Sequence, residues 1–241
     1  MDIEEVKYQM SFFGDFSAIK PTEEILKKCL EKFFLNGYIP GGNVQEIDGR
    51  SGQLVNRLTL QSMRNGVSAN YMSGRIDIVG NPISMNALTI KDFESSALDI
   101  IKGSMDVLGV KINRVGYVTE RFLKGLDAVG LERTRKKFLN SEAQVFPGMP
   151  VADWTSRIVH HESEGQFVKT NVTYTIAQAR VQIADNAGIK EFDTMHLSVD
   201  VNTPAGRNSD MSAQEIAEFV VYAADKDVTI SKTILGVLSG H

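Results

Sequence analysis

The strongest pattern in the chain lies in its last quarter, where strict alternation gives way to a three-and-four repeat. Over residues 192–202, Met195, Leu197, Val199 and Val201 alternate with His196, Ser198, Asp200 and Asn202. Successive side chains of a strand point to opposite faces, so this stretch predicts a strand with one apolar and one polar face. Pro204, Gly206, Asn208 and Ser209 then interrupt the chain. Ser212, three residues before Glu215, makes a capping box that opens a helix. Ile216, Phe219, Val220, Ala223, Ile230, Ile234 and Val237 follow three or four apart, predicting a helix over 212–238 in which Asp227 is the one blemish. A helix of that length runs about 40 Å and needs a broad apolar surface beneath it.

The same reading, carried to the start, predicts a first strand over 8–16 from Tyr8, Met10, Phe12 and Phe13. Thr22 opens a helix whose stripe is Ile25, Leu26, Cys29, Leu30, Phe33 and Phe34, stopped by Gly37. Pro40, Gly41 and Gly42 read as a loop. Two long strands over 52–63 and 67–78 flank Asn65-Gly66, a hairpin turn signal. A helix over 89–108 carries Phe93, Ala97, Ile100, Ile101, Met105 and Leu108, and a strand over 110–122 follows. Then come a short helix over 131–139, a crossover loop over 141–150, and strands over 153–161 and 166–183.

This order predicts an α+β protein with a mainly antiparallel sheet and helices packed on one face. The first six elements have the order of a split βαβ unit. An internal echo runs through it: Ile76-Asp77-Ile78 before Pro82, and Val199-Asp200-Val201 before Pro204, each followed by a helix. The echo reads either as a duplicated hairpin-helix unit or as the common strand-proline-helix punctuation, and halves 1–128 and 129–241 are expected to pack as one globular unit.

Composition narrows the setting more than the fold. The 241 residues are 42% hydrophobic and 23% charged, enough for a real core. A net charge of −4 shows no whole-chain footprint for nucleic acid. One cysteine, Cys29, rules out an intramolecular disulfide and a cysteine-based metal cluster. No apolar signal segment is seen at the start, and the longest apolar run, 219–224, is far too short to span a bilayer. The expected setting is the cytoplasm, with no membrane partner.

The densest set of ligand-type side chains is His160-His161-Glu162-Ser163-Glu164. Neighbouring strand residues point apart, so His160 and Glu162 can share a face while His161 cannot join them, and the distant His196 would have to complete a zinc-type set. His196, Ser198 and Asp200 invite a triad reading. Their spacing along a strand is about 6.6–6.8 Å, however, and a nucleophile and its base need contact at about 2.6–3.2 Å. Asp77 and Asp200 are the echo carboxylates, with no third acid spaced to help them hold a cation. Neither a phosphate loop nor a G-x-S-x-G elbow occurs. Arg133, Arg135, Lys136 and Lys137 form the one basic concentration, which reads as a solvated helix face or as a docking patch for an acidic partner or nucleic acid. Trp154 reads as core or domain seam.

Three features stand out: the early aromatic strand and helix leading to a long hairpin from Leu54 to Ile78, the strand Val110-Lys111-Ile112-Asn113-Arg114-Val115-Gly116-Tyr117, and Leu197-Ser198-Val199-Asp200-Val201 before a long terminal helix. Together they resemble a bacterial family known as "sporadically distributed" proteins of unknown function. Order and length agree over nearly the whole chain, although the late helix lacks the His and Phe expected there. The resemblance implies no agreed activity and no active site; the family's patchy distribution suggests a bacterial defence or mobile-element system. With no catalytic residue assigned and no cofactor expected, the chain reads as a non-catalytic binding or assembly subunit. A protein partner or self-association is expected ahead of nucleic acid. The alternative is a metal-dependent hydrolase or nuclease using His160, Glu162 and His196.

Overall fold

The computed structural model describes residues 2–49, 51–82, 88–139, 153–163, 165–185, 188–206 and 209–239. The elements, in chain order, are β1 (Asp2–Phe13), α1 (Glu23–Phe33), a 3-10 turn (Phe34–Asn36), β2 (Tyr38–Ile47), β3 (Leu54–Ser62), β4 (Ser68–Tyr71), β5 (Arg75–Gly80), α2 (Ile90–Leu108), β6 (Arg114–Lys124), α3 (Ala128–Phe138), β7 (Thr155–His161), β8 (Asn171–Asp185), β9 (Gly188–Asn202) and α4 (Ala213–Ser239). Nine strands make one antiparallel sheet in the order β2-β3-β4-β5-β1-β6-β9-β8-β7. The α+β reading, the one-sided helical layer and the long terminal helix all stand.

The centre of the sheet is the β1–β6 pair. Outward from β1 lie β5, β4, β3 and β2; outward from β6 lie β9, β8 and β7. Met10 stands opposite Tyr117, Ile78 opposite Met10, and Val201 opposite Tyr117. The two halves therefore repeat strand, helix, antiparallel strands and helix about an approximate two-fold axis near Met10 and Tyr117. The echo aspartates sit at matching places, and each stands the same number of residues before its helix cap, Thr89 or Ser212. Thr89 caps α2 by accepting from the Asp92 amide, and Ser212 accepts from the Glu215 amide at 3.2 Å.

One face of the sheet is covered. Helix α2 lies over β1, α4 lies over β6 and β9, and α1 packs on α2 and β2. Tyr8, Met10, Phe12, Ile76, Ile78, Val115, Tyr117, Met195, Leu197, Val199 and Val201 point into this layer and are buried, as are Phe93, Ala97, Ile100, Ile216, Phe219 and Ala223 from the helices. Gly103 admits the ring of Phe33, since a Cβ there would come within 2.5 Å of it. The opposite face carries no helix among the described residues.

Three local readings are corrected. The strand expected over 67–78 is two: the chain turns at 72–74, with the Met72 amide bonding the Arg75 carbonyl at 2.8 Å, so β3, β4 and β5 form a meander. The expected loop at Pro40-Gly41-Gly42 lies inside β2, an edge strand whose register shifts between Gly41 and Val44. Strand β1 begins well before Tyr8 and carries a bulge between Glu5 and Lys7. The crossover expected over 141–150 and Glu164 lie outside the described residues.

Candidate functional site

Among the described residues, chemistry-bearing side chains gather on the bare face of the sheet, in a cavity at its β7 end, in the seam between α4 and β6, on helix α3, and in the Arg57–Glu46 pair at the β2–β3 end. On the bare face, alternation presents Lys7, Gln9 and Ser11 of β1, Arg75 and Asp77 of β5, and Arg114, Glu120 and Phe122 of β6. Beside them stand His196, Ser198, Asp200 and Asn202 of β9 and Thr173 and Thr175 of β8. These groups pair across strands and along them. Glu120 stands 3.3 Å from His196 Nε2 and 3.4 Å from Lys7 Nζ, and these partners hold its carboxyl below the usual range, the His196 hydrogen bond foremost. Asp77 accepts from Ser11 at 2.6 Å and pairs with Arg75 at 2.7 Å. Asp200 accepts from Asn202, and burial raises its pKa against the pull of Asn202, Arg114 and Arg157. Arg114 lies 4.5 Å above the Phe13 ring.

The echo carboxylates do not meet. Asp77 and Asp200 are three strand spacings apart, roughly 14 Å, too far to share one cation. Nor do His160, Glu162 and His196 converge. His160 pairs with Val172 and Val172 with Val201, which places His160 on the helical side. His196 is an odd number of residues from Val201 and so faces the bare side. Among the described residues no three His, Cys, Asp or Glu side chains are placed to hold a metal ion. The hydrolase geometry expected from those three residues is therefore not assembled.

His160 and Glu162 instead line a cavity of about 290 Å³ between β7, β8 and α4, with Val172, Tyr174, Lys226 and Ile230. The His160 ring stacks on Tyr174 with centroids 6.0 Å apart, and Glu162 pairs with Lys226 at 2.8 Å. Oppositely charged groups that already satisfy each other at the rim of an apolar cavity are suited to holding its wall in place. Trp154 is buried next to the start of β7.

The basic helix α3 is largely self-compensated. Arg135 forms a bidentate pair with Glu132 at 2.7 and 2.5 Å, and Lys136 approaches the same carboxylate at 3.6 Å. Lys137 donates to the carbonyl of Val237 near the end of α4, a cation on a helix C-terminus. Arg133 is exposed. Glu132, within the cluster itself, removes much of the focused field that four bare cations would project.

The group missed from the sequence is the seam. Asp227 is only 1% exposed and Arg121 4%. Arg121 donates from Nη1 to Asp227 Oδ1 at 2.7 Å and from Nη2 to Oδ2 at 2.5 Å, and its Nε reaches Glu5 at 2.8 Å. Thr119 donates to Asp227 at 2.6 Å, and Ser231 accepts from Arg121 at 2.8 Å. The bulge in β1 makes this set, because it turns Glu5 to the helical side next to Arg121 and Lys7 to the bare side next to Glu120. Burial raises the Glu5 pKa more than Arg121 lowers it. The readable signal was a pair of inward-facing opposite charges, Arg121 in the β6 alternation and Asp227 in the α4 stripe.

Among the described residues no helix is long and apolar enough to cross a membrane. No protein-family model and no curated protein matches the chain.

Proposed function

We propose that this protein is a non-catalytic binding or assembly subunit whose recognition surface is the bare face of the sheet. The observation that carries the reading is the build of that face: among the described residues nine strands form the sheet, and the helices that pack on it lie on the other side. At usual spacing nine strands span roughly 40 Å, and with strands as short as β4 and the Ser17 loop against Arg57 of β3 the open area is comparable to the ~800 Å² that one partner gives a standard interface. Its side chains are short hydroxyls and amides along β8 and β9, bordered by paired charges of both signs. Such a surface is open and polar, suited to a folded macromolecule rather than to enclosing a small substrate. Glu120, Asp77 and Asp200 stand among Lys7, Arg75 and Arg114, so the partner that fits is a protein of mixed charge rather than a nucleic-acid backbone. The resemblance drawn from the sequence sets such a subunit in a bacterial defence or mobile-element system.

The test is a bulky charge in the middle of the face. Ser198→Arg changes a half-buried bare-face residue and leaves the core untouched. Cross-linking in extract of the native host should yield a specific partner linked through Lys7 and Lys124, and Ser198→Arg should abolish the links while the thermal melt stays within a degree or so. Links that survive unchanged in the folded variant would show that the bare face is not the recognition surface.

A further inference from the structure

The two edges of the sheet are not alike. On β2, the Met63 amide bonds the Gly37 carbonyl, so alternate residues from Gly37 face β3 and Tyr38 and Pro40 face outward. Pro40 has no N–H to offer, and the register shift beyond Gly41 breaks the outward row again. A proline and a bulge are standard protections of an edge. Strand β7 has neither. The Gln178 amide bonds the Trp154 carbonyl and the Glu162 amide bonds the Thr170 carbonyl, so Ser156, Ile158 and His160 bond β8. Thr155, Arg157, Val159 and His161 present an unbroken outward row of backbone donors and acceptors, and among the described residues no strand pairs with it.

We propose that two copies of this chain join through β7, antiparallel, about a two-fold axis at Ile158. The register follows from the outward row. Centred on Ile158, Thr155 pairs with the second copy's His161 and Arg157 with its Val159, so that all four outward residues of each copy are used. A two-residue shift one way sets Arg157 against Arg157; the other way sets Arg157 against His161, and either uses only three outward residues. Arg157 directly opposite Arg157 is unfavourable, and in either shift fewer bonds form. The Ile158-centred register also sets Ile158 against Ile158 on the helical side. A two-fold axis perpendicular to the sheet keeps both bare faces on the same side, so the joined sheets present one continuous polar surface.

This inference concerns an edge and the proposed function a face, so each fails by itself. Sedimentation of the full chain should show a dimer. Arg157→Pro removes an outward N–H but none of the bonds to β8, and should weaken association by about tenfold or more while the far-ultraviolet spectrum is retained. Ile158→Cys adds a second readout that does not depend on tolerance of proline. Facing Cα atoms in a non-hydrogen-bonded pair are about 4.5 Å apart, within disulfide range, and the native Cys29 is buried. Mild oxidation should link Ile158→Cys into a covalent dimer, and adding Arg157→Pro should prevent it. Ser198→Arg should dimerise like the parent. A folded parent that stays monomeric at about 100 µM, or a dimer that Ile158→Cys does not link, overturns the proposal.

Discussion

Helices α2 and α4 occupy matching places in the two halves and bury matching positions, yet they handle the last of them differently. Phe93, Ala97, Ile100 and Ser104 of α2 are buried at the spacing of Ile216, Val220, Ala223 and Asp227 of α4. In each helix three apolar residues are followed by a polar one. The Ser104 hydroxyl lies 2.6 Å from Tyr71 Oη and donates back to the Ile100 carbonyl at 2.7 Å, a neutral contact. Asp227 meets the guanidinium of Arg121. The matching helix position thus holds a hydroxyl turned to Tyr71 of β4 in one half and a carboxylate turned to Arg121 of β6 in the other. The difference teaches that the repeat constrains shape and burial while leaving the electrostatics of each half free to vary.

Removing one partner from each slot should therefore have unequal consequences. Asp227→Ala leaves the Arg121 guanidinium buried with only the Glu5 carboxylate and the Ser231 hydroxyl to face it, and should destabilise by about 3–5 kcal/mol in chemical denaturation. Replacing the charged set together, as in Asp227→Leu with Arg121→Met and Glu5→Gln, should recover most of that loss, because the desolvation cost of the charges disappears with them. A single variant within about 1 kcal/mol of the parent would mean that the pair is solvated. Ser104→Ala leaves the Tyr71 hydroxyl without its partner in a fully buried position, at a cost of about 1–2 kcal/mol. A Ser104→Ala loss equal to that of Asp227→Ala would erase the distinction between the halves.

The sequence carried the layer order because that information is local. Met195, Leu197, Val199 and Val201 declare a one-sided strand by themselves, and α4 was visible from its cap and stripe. The break between β4 and β5 was harder to see, since the only trace is a change of phase: Val67, Ala69 and Tyr71 point inward at odd numbers, Ile76 and Ile78 at even ones. Strand β2 was hidden because proline and paired glycines belong to loops in general but are tolerated at an edge. The site chemistry was least legible. Glu120 and His196 meet only through the β6–β9 register, and Arg121 and Asp227 are more than a hundred residues apart. A run of neighbouring ligand types such as His160-His161-Glu162 is conspicuous in a sequence, but strand alternation disperses it.

Glu94 sharpens the comparison most finely, because it belongs to α2 but answers to the other half. It accepts from the Tyr117 hydroxyl of β6 at 2.8 Å and lies in the field of Asp227. Burial raises its pKa above 4.5, and the Tyr117 hydrogen bond does not fully offset this. A carboxyl whose folded pKa is raised lends stability that is fully present below its unfolded pKa and is lost as pH climbs through the folded value. Glu94→Gln keeps an acceptor for Tyr117 and nearly the same helix propensity while removing the titration. The variant should match the parent at about pH 4 and below, gain on it as pH rises past about 4.5, and be modestly the more stable at pH 7, the smallest of the effects considered. In an Asp227→Asn background, which removes the neighbouring negative charge, the gain should shrink. Denaturation curves for the parent, Glu94→Gln, Asp227→Asn and the double variant at pH 4 and pH 7 measure both quantities. A gain at pH 7 that is the same with and without Asp227 would show that Glu94 feels only its own burial and that the two halves are not electrostatically coupled through this residue.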